Sequence, residues 1–119
     1  MSVRITTRFA PLRMVLKRRE PLELKVIIAN LDERARHMTV KTLLNNELSF
    51  DKSGLKGSAV ERLEAVQPHA EKTIYYHIFP KINTSPGRKL IKVQVLEHGN
   101  TFADINKENN QTLEITVEE

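Results

Sequence analysis

Cysteine is absent from the 119 residues of this sequence. Disulfides, thiolate metal sites and a cysteine nucleophile are therefore excluded. No apolar run approaches the roughly 18–20 residues that a membrane-spanning helix needs. Arginines are spread through the first 20 residues, so this segment lacks the uninterrupted apolar region of a signal peptide. We therefore expect a cytoplasmic protein.

Glycine is also scarce, and the only closely spaced pair, in "GLKG", has neither the length nor the setting of a phosphate-binding loop. There is no nucleophile elbow or dinucleotide fingerprint. The 15 acidic residues are spread along the chain and single out no catalytic pair. The four histidines lack the spacing of a zinc site; they are His37, His69, His77 and His98. We predict a protein that is not an enzyme and uses no cofactor or metal.

Apolar and polar residues alternate in most segments, which is the pattern of half-buried strands. The first two segments, "VRITTRF" and "LRMVL", are predicted to be short strand pieces with a break at Pro11, and the second places Leu12, Met14 and Leu16 on one side. The others are "PLELKVIIAN", "MTVKTLL", "KLIKVQVLE" and "TLEITVEE". "KTIYYHIF" is apolar on both faces and is predicted to be a central strand. Residues 59–66 are ambiguous, because Ser58 and Glu61 have the spacing of a helix capping box, but a strand is favoured. The number of segments predicts one all-β domain over residues 1–119, an antiparallel β-sandwich of seven to eight strands.

The end of the chain, "DINKENNQTLEITVEE", carries a more specific pattern of polar residues before a strand that we expect to begin at Gln111. It resembles the final hairpin of the cell-adhesion-related domain family (CARDB). "VIIANLD", which contains Asn30, and "LEAVQPHAEKTIYYHI" are similar to two further segments of that family. The resemblance spans most of residues 15–118. It implies an immunoglobulin-like or fibronectin-like sandwich that binds proteins or surfaces and has no catalytic role.

The polar residues of that hairpin are predicted to pin a loop, because asparagine amides both donate to and accept from backbone groups. The four predicted loop-pinning residues are Asp104, Asn106, Asn109 and Asn110. Calcium is the alternative, since Asp104, Asn106 and Glu108 follow a spacing of oxygen ligands. An EF-hand-type loop, however, needs glycine at its sixth position and glutamate at its twelfth, where this chain has Asn109 and Ile115. Loop pinning is therefore favoured.

Positive charge is concentrated at the start of the chain. The net charge is +4, yet residues 1–19 contain six cations and no acid, which leaves residues 20–119 at −2. The six cations are Arg4, Arg8, Arg13, Lys17, Arg18 and Arg19. On strands, Arg4 and Arg8 share one outward face, as do Arg13 and Lys17. Such a row protects an edge strand from unwanted pairing, or it forms a patch for an anionic partner.

Two functions remain open from the sequence. The first is a non-catalytic interaction module that binds a protein partner through a sheet face or an edge strand. The second is a small basic protein that binds nucleic acid or another polyanion through the N-terminal cations, which Arg34, Arg36 and Lys41 would extend if they shared that face. With six aromatic residues in the chain, base stacking on single strands is disfavoured.

Overall fold

The computed structural model describes residues 3–10, 13–18, 20–98 and 105–119. Across these residues the chain forms nine strands and one short 3₁₀ turn at Leu16–Arg18. The strands are β1 (Val3–Ala10), β2 (Arg13–Val15), β3 (Leu22–Asn30), β4 (Arg36–Leu43), β5 (Leu48–Ser49), β6 (Ser58–Val66), β7 (Glu71–Pro80), β8 (Gly87–His98) and β9 (Ile105–Glu118). In these described ranges there is no helix with the length and apolar character needed to span a membrane.

The strands form two sheets. The four-stranded sheet has the order β1-β3-β7-β5, and the five-stranded sheet has the order β2-β9-β8-β4-β6. Neighbouring strands are antiparallel apart from β2, which pairs in parallel with the end of β9. The predicted antiparallel, immunoglobulin-like β-sandwich is confirmed. Its strands outnumber the seven to eight expected because β2 and β5 are pieces of only three and two residues.

The first segment changes sheet. β1 pairs with β3 along its whole length, whereas β2 joins the other sheet by pairing with β9. The predicted interruption at Pro11 lies outside the described residues. The prediction that the second strand continues through Leu16 is wrong, because Leu16–Arg18 forms the 3₁₀ turn. Arg13 and Lys17 therefore do not share a strand face.

The core lies between the sheets and follows the alternation of the sequence. In β3, Leu22, Leu24, Val26 and Ile28 are fully buried. The five-stranded sheet supplies the opposing layer, from alternate residues of β4, β8 and β9 such as Val40, Ile91 and Ile115. Burying one such aliphatic side chain is worth roughly 1.5–3 kcal/mol, so this layer is the main source of stability.

Three further predictions are settled by the strand bounds. Residues 59–66 belong to β6, so the favoured strand is confirmed over the helix. The segment "KTIYYHIF" lies in β7, between β3 and β5, but Tyr75 on its outer face is exposed. The predicted start of the last strand at Gln111 is wrong, since β9 begins at Ile105. Asn109 and Asn110 therefore lie inside a strand.

Candidate functional site

The outer face of the five-stranded sheet carries a contiguous group of aliphatic and basic side chains. Lys41 of β4 lies opposite Val60 of β6, and Leu43 of β4 lies opposite Lys92 of β8. Leu90 stands two residues before Lys92 on β8, which makes it a diagonal neighbour of Leu43. We call these five residues the β4–β8 patch. The residues that alternate with them on β4 and β8 are buried in the core, namely Val40, Thr42, Ile91 and Val93. Because side chains alternate between the two faces of a strand, the patch residues face outward.

The aliphatic members of the patch are exposed to an unusual degree. Leu43, Val60 and Leu90 are 51%, 58% and 46% exposed. Among the described residues they make up three of the seven large hydrophobic side chains that are exposed. Single exposed aliphatics are ordinary, but a contiguous group on one flat face is typical of an interaction surface.

The cations of the patch are close to one another. Lys41 and Lys92 are diagonal neighbours on adjacent strands, a placement that separates side-chain origins by roughly 7–8 Å. Within the described part of the chain, neither lysine has a carboxylate in ion-pair range, whereas Arg88 at the end of the same face approaches Glu114 at 4.0 Å. Within the described residues the two lysines thus form no ion pair, and the acid on the adjoining strand, Glu114 of β9, lies opposite Leu90 and is engaged with Arg88.

The N-terminal cations are not gathered into one surface. Arg4 and Arg8 lie on the outer face of the four-stranded sheet, but Arg13 lies on β2 in the other sheet. Two of them face acids: Arg4 approaches Glu71 at 3.6 Å, and Arg13 donates a 2.8 Å hydrogen bond to Glu118. Lys17 and Arg18 are on the 3₁₀ turn, and Arg19 lies outside the described residues.

Of the predicted extensions to that surface, Arg36 is bound to Asp32 at 2.7 Å, and Lys41 belongs to the β4–β8 patch. Arg8 has a different neighbour, Lys25, which lies opposite it on β3. The Lys25 Nζ atom stands 5.9 Å from the centroid of the exposed Tyr75 ring. Arg8, Lys25 and Tyr75 thus form one row across the four-stranded sheet.

The paired asparagines near the end of the chain connect strands. The Asn109 amide donates a 2.7 Å hydrogen bond to the buried Glu97 carboxylate of β8, and Asn110 lies opposite Gln94. Asp104 and the side chain of Asn106 lie outside the described residues. The loop-pinning role and the calcium alternative both depend on those two groups, so each stays a prediction.

A different asparagine pins the turns at that end of the sandwich. The buried Asn30 side chain donates to the carbonyl oxygens of Val66 and Arg34, each at 2.9 Å, and accepts from the Asp32 amide at 3.0 Å. It therefore ties the end of β3 to the following turn and to the end of β6. Its position directly after the apolar run "VIIA" is the only local signal in the sequence.

A polar cluster closes the opposite end and was not predicted. The nearly buried Lys89 donates to the Glu47 carboxylate and, at 3.1 Å, to the Ser85 hydroxyl. The amide and hydroxyl of Ser85 both donate to the other Glu47 oxygen at 2.9 Å. The hydrogen bond from Lys89, followed by those from Ser85, lowers the pKa of Glu47 to about 2. Lys89 therefore links the Glu47 carboxylate and the Ser85 hydroxyl in one hydrogen-bonded cluster.

No three His, Asp or Glu side chains meet in a metal-ligating arrangement within the described ranges. His98 is buried with Nε2 at 2.7 Å from the Thr39 hydroxyl. His69 and His77 lie on the surface near Glu33 and Glu23. The imidazole of His37 accepts a hydrogen bond from the Ala65 amide. His37 and His98 are thus cross-strand partners on β4 and β8, whereas His69 lies in a turn and His77 on the other sheet.

The chain is similar in structure to several solved proteins, but its sequence matches no known family. No family model matches the chain, and no curated protein matches it. A DNA-bound alkylpurine DNA glycosylase from Pseudomonas fluorescens is similar over 99% of this chain and 31% of that one, at 16% identity and a TM-score of 0.56. The self-complemented major subunit of Myf fimbriae from Yersinia enterocolitica is similar over all of both chains, at 14% identity and a TM-score of 0.55.

A type III cohesin module of a cell-surface anchoring scaffoldin from Ruminococcus flavefaciens is similar over 98% of this chain and 89% of that one, at 10% identity and a TM-score of 0.55. The chain spans only about a third of the glycosylase, so that enzyme is matched in one part. These similarities support the β-sandwich fold. The finer CARDB assignment stays a prediction.

Proposed function

We propose that this chain is a non-catalytic, CARDB-like interaction module that binds a protein partner through the β4–β8 patch. One observation carries the proposal: Leu43, Val60 and Leu90 are exposed and contiguous on a flat sheet face. Each is about half exposed, so covering all three would release roughly 3 kcal/mol of hydrophobic free energy. That amount is substantial for a docking surface, although ordering costs reduce it.

The β6 edge of the same sheet fits a partner less well than this face. β6 borders the five-stranded sheet, but Glu61, Arg62 and Glu64 along it are exposed and charged. Its register also shifts beside β4 between Arg36 and Met38, and Ala65 has a φ of 45°. Charges and bulges of this kind protect an edge from strand addition. The face is therefore preferred to this edge as the binding surface.

The neighbours support a binding role at the level of fold. One is a cohesin module of a cell-surface scaffoldin, and another is a subunit of fimbriae. We keep the cytoplasmic location expected from the sequence as a proposal. Because these neighbours are surface proteins by name, the partner is best sought in the cytoplasmic and surface fractions in parallel.

We expect a bait carrying Leu43→Asn and Leu90→Asn to lose the partners that the wild-type bait retains from native extract. Removing two half-exposed aliphatic contacts should deplete those partners roughly tenfold. Quantitative mass spectrometry of the retained proteins measures the change. The matched control is Leu55→Asn with Ile82→Asn, which alters two exposed aliphatics in loops.

The control bait should retain the wild-type set. Circular dichroism and urea unfolding establish that each bait is folded before use. If all three baits retain the same proteins in the same amounts, the patch is not the binding surface.

We propose polyanion binding as the second candidate, supported by the row of Arg8, Lys25 and Tyr75 on the four-stranded sheet. Two neighbouring cations beside an exposed aromatic ring suit a phosphate backbone. The glycosylase among the neighbours is described as bound to DNA, but its low identity extends the likeness to the fold alone.

If this candidate holds, a generic duplex will bind strongly at low salt and weakly at high salt. Replacing Arg8 and Lys25 by glutamine should then lower the slope of log affinity against log salt by about 2. Fluorescence anisotropy at two or more salt concentrations measures this slope. Lys52→Gln with Lys72→Gln is the control of equal charge. Weak binding to the duplex at low salt, or a slope that both double variants share, would exclude the candidate.

A further inference from the structure

We infer that the segment bound by the β4–β8 patch is acidic as well as aliphatic: a protein segment that presents two carboxylates to Lys41 and Lys92 between apolar side chains. The inference rests on the proposed function and specifies its partner. It starts from the register of the patch. Val60, Leu43 and Leu90 lie along one diagonal across three strands, and Lys41 and Lys92 lie along the diagonal beside it.

The two lysines give the patch a definite electrostatic requirement. They are diagonal neighbours with like charge, and within the described residues no carboxylate lies in ion-pair range of either. A neutral partner that covered the aliphatic side chains would desolvate both ammonium groups without compensation. A partner with carboxylates about 7 Å apart compensates them. That is the spacing of residues i and i+2 in an extended segment.

Other occupants match the patch less well. A second copy docked through the same surface on a two-fold axis would bring these lysines against their own counterparts. Nucleic acid would find the charge but no ring for stacking, because the exposed hydrophobics here are aliphatic. An anionic membrane is bound by amphipathic elements with large apolar side chains and several cations, whereas this patch has three aliphatic side chains and two lysines on a sheet face.

Selection from a phage-displayed library of random peptides, each about 12 residues long, tests the inference against four proteins. They are the wild type, Lys41→Glu with Lys92→Glu, Leu43→Asn with Leu90→Asn, and the charge-matched control Lys52→Glu with Lys72→Glu. We expect the wild type and control to enrich peptides that combine Asp or Glu with aliphatic residues. The Lys41→Glu, Lys92→Glu variant should reverse this preference toward Lys and Arg. Selected acidic peptides should bind that variant roughly tenfold more weakly by fluorescence polarisation.

The outcomes separate the two claims. One outcome is that enrichment depends on Leu43 and Leu90 but shows no preference for acidic peptides and does not change in the Lys41→Glu, Lys92→Glu variant. That outcome overturns the acidic partner and leaves the proposed function standing. Enrichment that is the same on all four proteins, or no enrichment, overturns both. Phosphatidylserine vesicles and a generic duplex are assayed in parallel. If the vesicles or the duplex bind in a way that requires Lys41 and Lys92, and no peptide is enriched, the patch is assigned to a non-protein partner. That result also overturns both the proposed function and the acidic partner.

Discussion

Replacing Asn30 by alanine is expected to lower the free energy of unfolding by about 3 kcal/mol. The amide of this buried residue makes three short hydrogen bonds to the backbone, at Arg34, Val66 and Asp32, and a longer one of 3.4 Å to the Gln67 carbonyl. Each such bond contributes roughly 1 kcal/mol, and the buried Val66 carbonyl would lose a donor that water cannot replace. The backbone bond from His69 to the Asn30 carbonyl, at 2.8 Å, would remain, so the turn is weakened and still formed.

Urea unfolding followed by circular dichroism measures this loss. Asn46→Ala is the control, because Asn46 is an exposed asparagine in a turn, and its effect should stay within about 0.5 kcal/mol. Asn30→Asp retains the acceptor for the Asp32 amide and removes every bond that the Asn30 amide donates, so it should also be strongly destabilising. A loss below about 1 kcal/mol for Asn30→Ala would contradict the pinning role.

Replacing Met14 by alanine should cost about 3 kcal/mol and detach β2 from the five-stranded sheet. Met14 is fully buried, and in the described residues 13–18 it is the single buried side chain. β2 has only three residues paired with Thr116, Val117 and Glu118. Three residues of ladder hold a strand weakly, so the docked side chain is its main anchor.

Hydrogen exchange with mass spectrometry distinguishes local detachment from general loss of stability. In Met14→Ala, the amides of residues 13–15 and 116–118 should lose protection far more than those of β3, at the centre of the other sheet. Val15→Ala, a change at the half-buried neighbour, is the control and should have a smaller effect. Equal loss of protection throughout the molecule would show that β2 does not open independently.

Most of the sandwich could be predicted from the sequence because its strands are half-buried. Leu113, Ile115 and Val117 alternate with exposed polar residues, and the structure buries just those three. The prediction of secondary structure fails where contacts distant in sequence override the local sequence pattern. Leu16 continues the apolar alternation of Met14 yet lies in a 3₁₀ helix, and the polar run before Gln111 is a strand because it pairs with β8.

The candidate site was less accessible to sequence reasoning. Lys41, Leu43, Val60, Leu90 and Lys92 come from three strands, and only the register of β4 with its two neighbours brings them together. The charge run at the start of the chain was visible, but the change of sheet between β1 and β2 divides it. Register and sheet assignment depend on contacts distant in sequence, and for that reason they were not predicted.

The parallel pairing of β2 with β9 has a mechanical consequence. The chain enters β2 at Arg13 and leaves β9 at Glu118, and the two strands run in the same direction. Tension applied between these two points pulls the strands past each other, so their hydrogen bonds are loaded in shear and share the force. An antiparallel pair pulled from one end would instead open one bond at a time. Force applied at Arg13 and Glu118 therefore meets more resistance from this short ladder than it would from an antiparallel pair of the same length.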